Sequence, residues 1–139
     1  MSEPQTTPYA ILGGRDHVVA LAMRFYDIME RDELELTALH ALDDEGRVDR
    51  DSRERFALFL IGWLGGPQEY MATYGHPRLR MRHMHVPIGI RMRDAWVRSM
   101  SKAMEEQGVP EPLRTYLTQR FEQVADFMRN VPEPGQPLA

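Results

Sequence analysis

The chain of 139 residues contains no cysteine. This absence excludes disulfide bonds, thiolate metal ligands and cysteine nucleophiles, and it suits a reducing compartment. No apolar run approaches the ~18–20 residues of a membrane-spanning helix, and the first residues lack the basic and apolar regions of a signal peptide. We therefore expect a cytoplasmic protein with one domain over residues 1–139 and frayed tails at about residues 1–8 and 131–139.

Lysine is also scarce, because Lys102 is the only lysine among the 17 basic residues. The net charge of −4 argues against nucleic-acid binding over a broad surface. A GC-rich genome alone explains a general preference for arginine, but the guanidinium group also matches carboxylates and phosphates. A local anion site is therefore an alternative for the stretch between residues 75 and 98, where Asp94 is the only acid among Arg78, Arg80, Arg82, Arg91, Arg93 and Arg98.

The alternation of apolar and polar residues that marks a half-buried strand is absent from the sequence. Apolar residues instead recur every three to four positions, which predicts amphipathic helices over residues 16–30, from 51 to about 64, from 88 to 108 and from about 112 to 128. A short helix is expected over residues 34–40 and a polar loop over 43–51. Asp51 and Glu54 resemble an N-cap with a capping box. The predicted fold class is all-α.

The histidines carry most of the chemistry in this sequence, and they are His17, His40, His76, His83 and His85. No pair has the H-E-x-x-H spacing of a zinc peptidase. His76, His83 and His85 are spaced so that a mononuclear metal site is conceivable, but carboxylates are missing nearby. A lone histidine is more often a structural residue than a ligand.

A haem site accounts for the neighbourhood of His83 as a whole. Haem iron takes a neutral imidazole as its axial ligand, the macrocycle needs apolar walls, and the propionates need cations. The residues that flank His83 and supply such cations are Arg80, Arg82 and His76. Tyr26 and Trp96 are candidate donors to a ligand on the opposite face, because buried phenol and indole groups require partners. Each is equally explained as a core aromatic residue of its helix.

Several motifs extend this interpretation: WLGGPQEY at residues 63–70, YGHPRLRMRH at 74–83, PIG at 87–89 and RDAW at 93–96, with LGG at 12–14 and RFYDIM at 24–29. In this order they resemble the truncated haemoglobins of group II over residues 9 to about 128. The resemblance implies a globin-like fold, shortened to a two-over-two helical sandwich. It also implies haem b, iron protoporphyrin IX, as the cofactor.

The resemblance assigns roles to single residues. His83 matches the proximal histidine that ligates the iron, whereas Tyr26 and Trp96 match residues on the distal side. Further haem contacts that it implies are Ser52, Arg55, Phe56 and Tyr70, with Arg80 and Arg82 near the propionates. Two positions depart from the family pattern. His40 stands where Tyr or Phe is usual, so it either accepts from Tyr26 or donates to the ligand, and His85, where P-F is common, is expected near the proximal rim.

The function that the resemblance implies is reversible binding of O₂, or of another diatomic ligand, at ferrous iron. NO detoxification and peroxidase-like chemistry are further implied activities, and both need an external reductase. A monomer or homodimer without nucleic-acid or membrane partners is expected. The alternative is a non-haem interaction module whose Arg-rich segment binds phosphate, nucleic acid or an acidic partner. A haem-based sensor that signals through a partner is a third possibility.

Overall fold

The computed structural model describes residues 6–131, apart from the side chain of Arg80. Most of the two predicted tails, residues 1–5 and 132–139, lies outside this range. The described chain consists of helices joined by short connections, without a β-strand: α1 (Pro8–Leu12), α2 (Arg15–Asp32), α3 (Leu34–Thr37), α4 (Arg50–Trp63), α5 (Glu69–Tyr74), α6 (Leu79–Arg82), α7 (Ile90–Glu106) and α8 (Leu113–Phe127). None of these helices is long and apolar enough to span a bilayer.

The four long helices form two layers, because α2 packs on α4, α7 packs on α8, and α2 also crosses α7. Helix α2 lies at the centre of this arrangement. Its buried residues follow a helical period on one face: Val18, Leu21, Ala22, Phe25, Tyr26, Ile28 and Met29. The all-α prediction is confirmed, and the four helices read from the sequence are the four that build the layers.

The turn after α4 depends on two glycines that bring α1 against it. Gly65 has a φ of +99°, a conformation that favours glycine. A Cβ atom at Gly66 would lie 2.6 Å from the ring of Tyr9. The backbone N–H of Tyr9 also donates to the carbonyl of Leu64 at 2.9 Å. Helix α1 therefore packs over the end of α4. This close approach requires glycine at the turn, because a side chain there would clash or strain the backbone.

The N-cap of α4 differs from the prediction. Asp49, not Asp51, is the cap, and its carboxylate accepts the Ser52 backbone N–H at 2.8 Å. The predicted cap was wrong because aspartate is a favoured N-cap residue at either position, and contacts distant in sequence decide between the two. Val48, just before the cap, is buried and donates its N–H to Glu30 of α2. This contact holds the chain so that the helix begins at Arg50.

Glu30 anchors the loop over residues 41–49 to helix α2. Its carboxylate accepts from Val48 N–H at 2.7 Å, from Arg53 Nη2 at 2.7 Å and from Arg47 Nε at 3.1 Å. Burial alone would raise the pKa of Glu30, but the hydrogen bonds from Arg53, Val48 and Arg47 outweigh it and lower that pKa. The start of α4 is thereby held beside α2, which positions the residues of α4 that face the cavity described next.

Candidate functional site

A cavity of about 480 Å³ lies between the two layers and is completed by the segment over residues 79–88. Its surface is mostly apolar, as a flat hydrophobic ligand requires. Apolar lining residues that the sequence did not single out include Leu36, Leu39, Phe59, Trp63, Leu79, Met92 and Phe121. They were missed because their spacing indicates a buried helix face but does not separate residues that line a cavity from residues that fill the core.

Nine of the eleven predicted site residues line this cavity: Tyr26, His40, Ser52, Arg55, Phe56, Tyr70, Arg82, His83 and Trp96. His85 lines it as well, close to where it was expected. His76 does not line it; it is exposed, and its Nδ1 accepts the backbone N–H of Arg78 at 3.1 Å. The structure therefore does not bring His76 to the site. The side chain of Arg80, the remaining predicted residue, is outside the described part of the chain.

The orientation of His83 is set by the single turn of α6 that precedes it. Its Nδ1 lies 2.6 Å from the carbonyl oxygen of Leu79. A carbonyl oxygen only accepts, so Nδ1 carries the hydrogen and Nε2 keeps its lone pair. Histidines that bind metals typically hold their other ring nitrogen in this way. Of the two ring nitrogens of His83, Nε2 is therefore the one available to bind a metal at the cavity.

Asn130, beyond the end of α8, holds the segment that carries His83. Its side-chain amide donates to the carbonyls of His83 at 3.0 Å and Val86 at 2.8 Å. Its Oδ1 accepts the N–H of Ile88 at 2.9 Å, and its own backbone N–H donates to the Ile88 carbonyl. No local pattern indicates this role, since the partners are more than forty positions away.

Tyr26 lies on the inner face of α2 and is buried. Its ring packs edge-on against Phe56, with ring centroids 5.7 Å apart, and against His40 at 5.9 Å. Burial raises its pKa, against a smaller opposing effect of Arg53, so the phenol keeps its proton. Among the described residues no group pairs with this hydroxyl. Its hydrogen is therefore available to a molecule in the cavity.

His40 has its Nδ1 2.9 Å from the carbonyl oxygen of Leu36. Nδ1 is therefore the protonated nitrogen, and Nε2 is an acceptor. Burial lowers the pKa of His40, and the nearby His83 lowers it further, against weaker opposing backbone hydrogen bonds. Of the two roles considered for this imidazole, the observed tautomer favours accepting a hydrogen bond from Tyr26 over donating to a ligand.

Trp96 of α7 forms part of the cavity wall and of the core at the same time. Its ring meets Phe25 and Phe56 edge-on, at centroid distances of 5.1 and 6.2 Å. These contacts hold the indole in a fixed orientation. The two interpretations considered for this residue, core packing and cavity function, are thus compatible.

The rim of the cavity carries two arginines that form no ion pair with a described residue, Arg55 and Arg82. Both side chains are exposed. Arg93 also lines the cavity, but it is paired with Asp126 at 2.8 Å and with Asp94 at 3.0 Å. Arg55 and Arg82 are therefore the rim cations available to carboxylates of a bound molecule.

The donor set fits haem and not a metal ion held by several side chains. Within residues 6–131 no group of three or more His, Asp or Glu side chains is placed to hold a metal. An imidazole with an available Nε2, as at His83, apolar walls and arginines at the rim are the features that haem requires.

A family model described as a bacterial-like globin matches residues 7–130. The chain belongs to this family. A group 2 truncated hemoglobin of Bacillus subtilis is 41% identical over 75 residues, which are 54% of this chain and 57% of that protein. The matched region thus spans little more than half the length of this relative.

Solved structures extend the similarity over nearly the whole chain. A cold-adapted truncated hemoglobin from the Antarctic bacterium Pseudoalteromonas haloplanktis is 43% identical, with a TM-score of 0.83 and coverage of 91% of this chain and 100% of that one. A group II 2-on-2 hemoglobin from Agrobacterium tumefaciens is 36% identical, with a TM-score of 0.83 and coverage of 94% and 98%. The predicted two-over-two fold is confirmed.

These findings establish this protein as a haem-binding globin whose family binds diatomic ligands such as O₂. The alternative of a non-haem module that binds through its Arg-rich segment is not supported. The arrangement of the arginines agrees with this conclusion, because Arg91, Arg93 and Arg98 of that segment are paired with acids of this chain.

Proposed function

We propose that this globin holds haem b with His83 as the axial ligand and that it serves reversible O₂ binding and transport. The observation that carries this proposal is the hydrogen bond from His83 Nδ1 to Leu79, which leaves Nε2 free at an apolar cavity. Haem bound there would supply a ferrous iron, the centre at which diatomic ligands bind. The protein's contribution is to orient the ligand nitrogen and to exclude water.

Arg55 and Arg82 hold the propionates in this proposal. Both line the cavity, both are exposed on its rim, and neither forms an ion pair with an acid within residues 6–131. Ser52, Phe56 and Tyr70 complete the contacts, with Phe56 and Tyr70 as apolar surface and Ser52 as a polar group near the mouth. Because the guanidinium groups bind carboxylates, they also favour an orientation of haem in which its propionates point outward to the rim.

On the distal side, Tyr26 and Trp96 donate hydrogen bonds to the ligand. His40 Nε2 is the acceptor for the Tyr26 hydroxyl when no ligand is bound. Donors held in a cavity of low polarity slow the release of O₂, because a departing ligand leaves them unpaired. The same donors polarise an O–O bond, which supports reaction of the protein with NO or hydrogen peroxide as a second activity. The protonated state of Tyr26 supports its role as the principal donor.

We propose a separate reductase as the source of electrons for turnover, because the globin family model accounts for residues 7–130. A cytoplasmic location is part of the proposal, because the cysteine-free composition suits a reducing compartment. The proposed assembly is a monomer or homodimer.

Absorption spectra of the purified protein in its ferric, ferrous and CO-bound forms test the proposal. We expect an intense Soret band in each form and a shift of that band when CO binds to the reduced protein. A colourless protein that takes up no added hemin contradicts it. Salt-sensitive binding of nucleic acid in the absence of haem uptake would instead favour the interaction module.

A further inference from the structure

Two tyrosines one helical turn apart on α5 connect the cavity with the protein surface. Tyr70 lines the cavity and is only 6% exposed. Tyr74 is 40% exposed. Their ring centroids are 5.1 Å apart. Aromatic rings in contact thus lead from the cavity wall directly to solvent, without an intervening aliphatic side chain.

The surroundings of Tyr74 determine how it can be oxidised. The guanidinium of Arg55 lies over its ring, 4.8 Å from the centroid. A cation in this position opposes the removal of an electron alone, because the ring would become positive. Loss of the phenolic proton together with the electron leaves a neutral ring. The exposure of Tyr74 allows water to accept this proton.

We propose that Tyr74 is a surface oxidation site at which the haem-loaded globin, supplied with hydrogen peroxide, oxidises small phenols and similar one-electron donors. This inference rests on the proposed function. It adds a second place of reaction outside the cavity, which donors too large to enter can reach.

Hydrogen peroxide takes up two electrons and two protons and yields two molecules of water. Each electron comes from a Tyr74 phenol and passes to the haem cavity through the ring of Tyr70, which ends unchanged, while the proton of Tyr74 leaves to solvent. An external phenol then transfers a hydrogen atom to the Tyr74 phenoxyl radical, restoring Tyr74. Without such a donor, two phenoxyl radicals of different molecules combine through a new C–C bond.

Tyr116 provides a matched control on the same chain. It is 48% exposed, and its ring also lies under an arginine, with Arg120 at 5.8 Å from the centroid. Arg120 Nη1 also donates to the Tyr116 hydroxyl at 2.9 Å. In the described range no aromatic ring contacts that of Tyr116. Tyr74 and Tyr116 thus share exposure and a cationic neighbour but differ in connection to the cavity.

The test treats haem-loaded protein with equimolar hydrogen peroxide and maps tyrosine–tyrosine cross-links by peptide mass spectrometry. Wild type and Tyr116→Phe should both form dimers linked through Tyr74, and Tyr74→Phe should lose most of this product. Added phenol should suppress the cross-link, and its oxidation should be slower in Tyr74→Phe. The O₂ off-rate should be the same in all three proteins.

Equal cross-linking of Tyr74→Phe and wild type, or cross-links that involve Tyr116 instead, would overturn the inference, and so would the absence of any cross-link. The proteins are compared at equal haem content, measured by the Soret band. Any of these three results then overturns the oxidation site but leaves the proposed function intact. A protein without a Soret band would refute the proposed function and the oxidation site together.

Discussion

His83 and Leu79 are joined by a hydrogen bond between the imidazole Nδ1 and a backbone carbonyl oxygen, at 2.6 Å. Helix α6 has only four residues, so its carbonyls have few partners within the helix. The His83 imidazole donates a hydrogen bond to one of these carbonyls, that of Leu79, and this bond fixes the orientation of the ring. A short helix and the predicted iron ligand therefore stabilise each other.

Replacement of His83 by Ala should abolish stable haem uptake, because the proposed axial ligand of the iron is lost. Hemin titration followed at the Soret band measures it. His85→Ala is the matched control, since His85 also lines the cavity and lies two residues away. It should retain haem. A normal Soret band in His83→Ala would refute the axial assignment.

Tyr26→Phe should release O₂ faster by between about two- and tenfold, the effect of losing one hydrogen bond of roughly 0.5–1.5 kcal/mol. The ring and its packing against Phe56 are retained. Stopped-flow displacement of O₂ from the reduced protein gives the rate. Tyr116→Phe, at a distant exposed tyrosine, should behave as wild type. An unchanged rate in Tyr26→Phe excludes the hydroxyl as a donor.

Asn130→Ala should weaken haem binding by about 10- to 100-fold, as is common when a group that orients a metal ligand is removed. The side chain ties together the carbonyls of His83 and Val86 and the N–H of Ile88. Transfer of hemin to apomyoglobin measures the loss rate. The exposed Gln123 of α8 offers a control, Gln123→Ala, which should lose hemin at the wild-type rate. If both variants behave alike, Asn130 has no orienting role.

His40 should make stability depend on pH. Burial lowers its pKa in the folded state from the usual 6.5. The unfolded chain therefore binds more protons as the pH falls below about 6.5, and stability declines until the lowered pKa is reached. One proton contributes at most about 1.4 kcal/mol per pH unit. Urea unfolding between about pH 7 and pH 5.5 should show a smaller decline for His40→Phe than for wild type. Parallel curves would contradict this.

Glu30→Gln should destabilise the fold by roughly 1–3 kcal/mol, because several charge-assisted hydrogen bonds are weakened. The pKa of Glu30 is lowered, so its stabilising effect is present above the usual pKa of about 4.5 and lost as the pH falls through the lowered value. Urea midpoints and hydrogen exchange at the Val48 amide measure the change. Glu54→Gln removes the exposed pair with Arg50 and should cost less than about 0.5 kcal/mol. Equal losses would exclude the anchoring role.

Several features of the site were accessible from residue types alone. His83 was predicted as a ligand from its residue type and from Arg82 one residue before it. Tyr26 was predicted as a donor because it lies on a strongly periodic helix and has a hydroxyl group. Other features were not accessible. Asp49 and Asp51 are equivalent as local caps, and the contact of Val48 with Glu30 decides between them. His76 resembles a rim cation in sequence, but its position in the structure is away from the cavity.

The amino-acid sequence determined the helical class and the four long helices, because these follow from periodicity. Side-chain chemistry and the family resemblance also predicted which residues bind iron and polarise a ligand. Only the tertiary structure decided the protonated nitrogen of His83 and of His40, the clamp formed by Asn130 and the path from Tyr70 to Tyr74. These properties depend on distances and directions between groups. A hydrogen bond or ring contact exists only when packing brings both partners within a few ångströms, and local spacing along the chain does not contain that information.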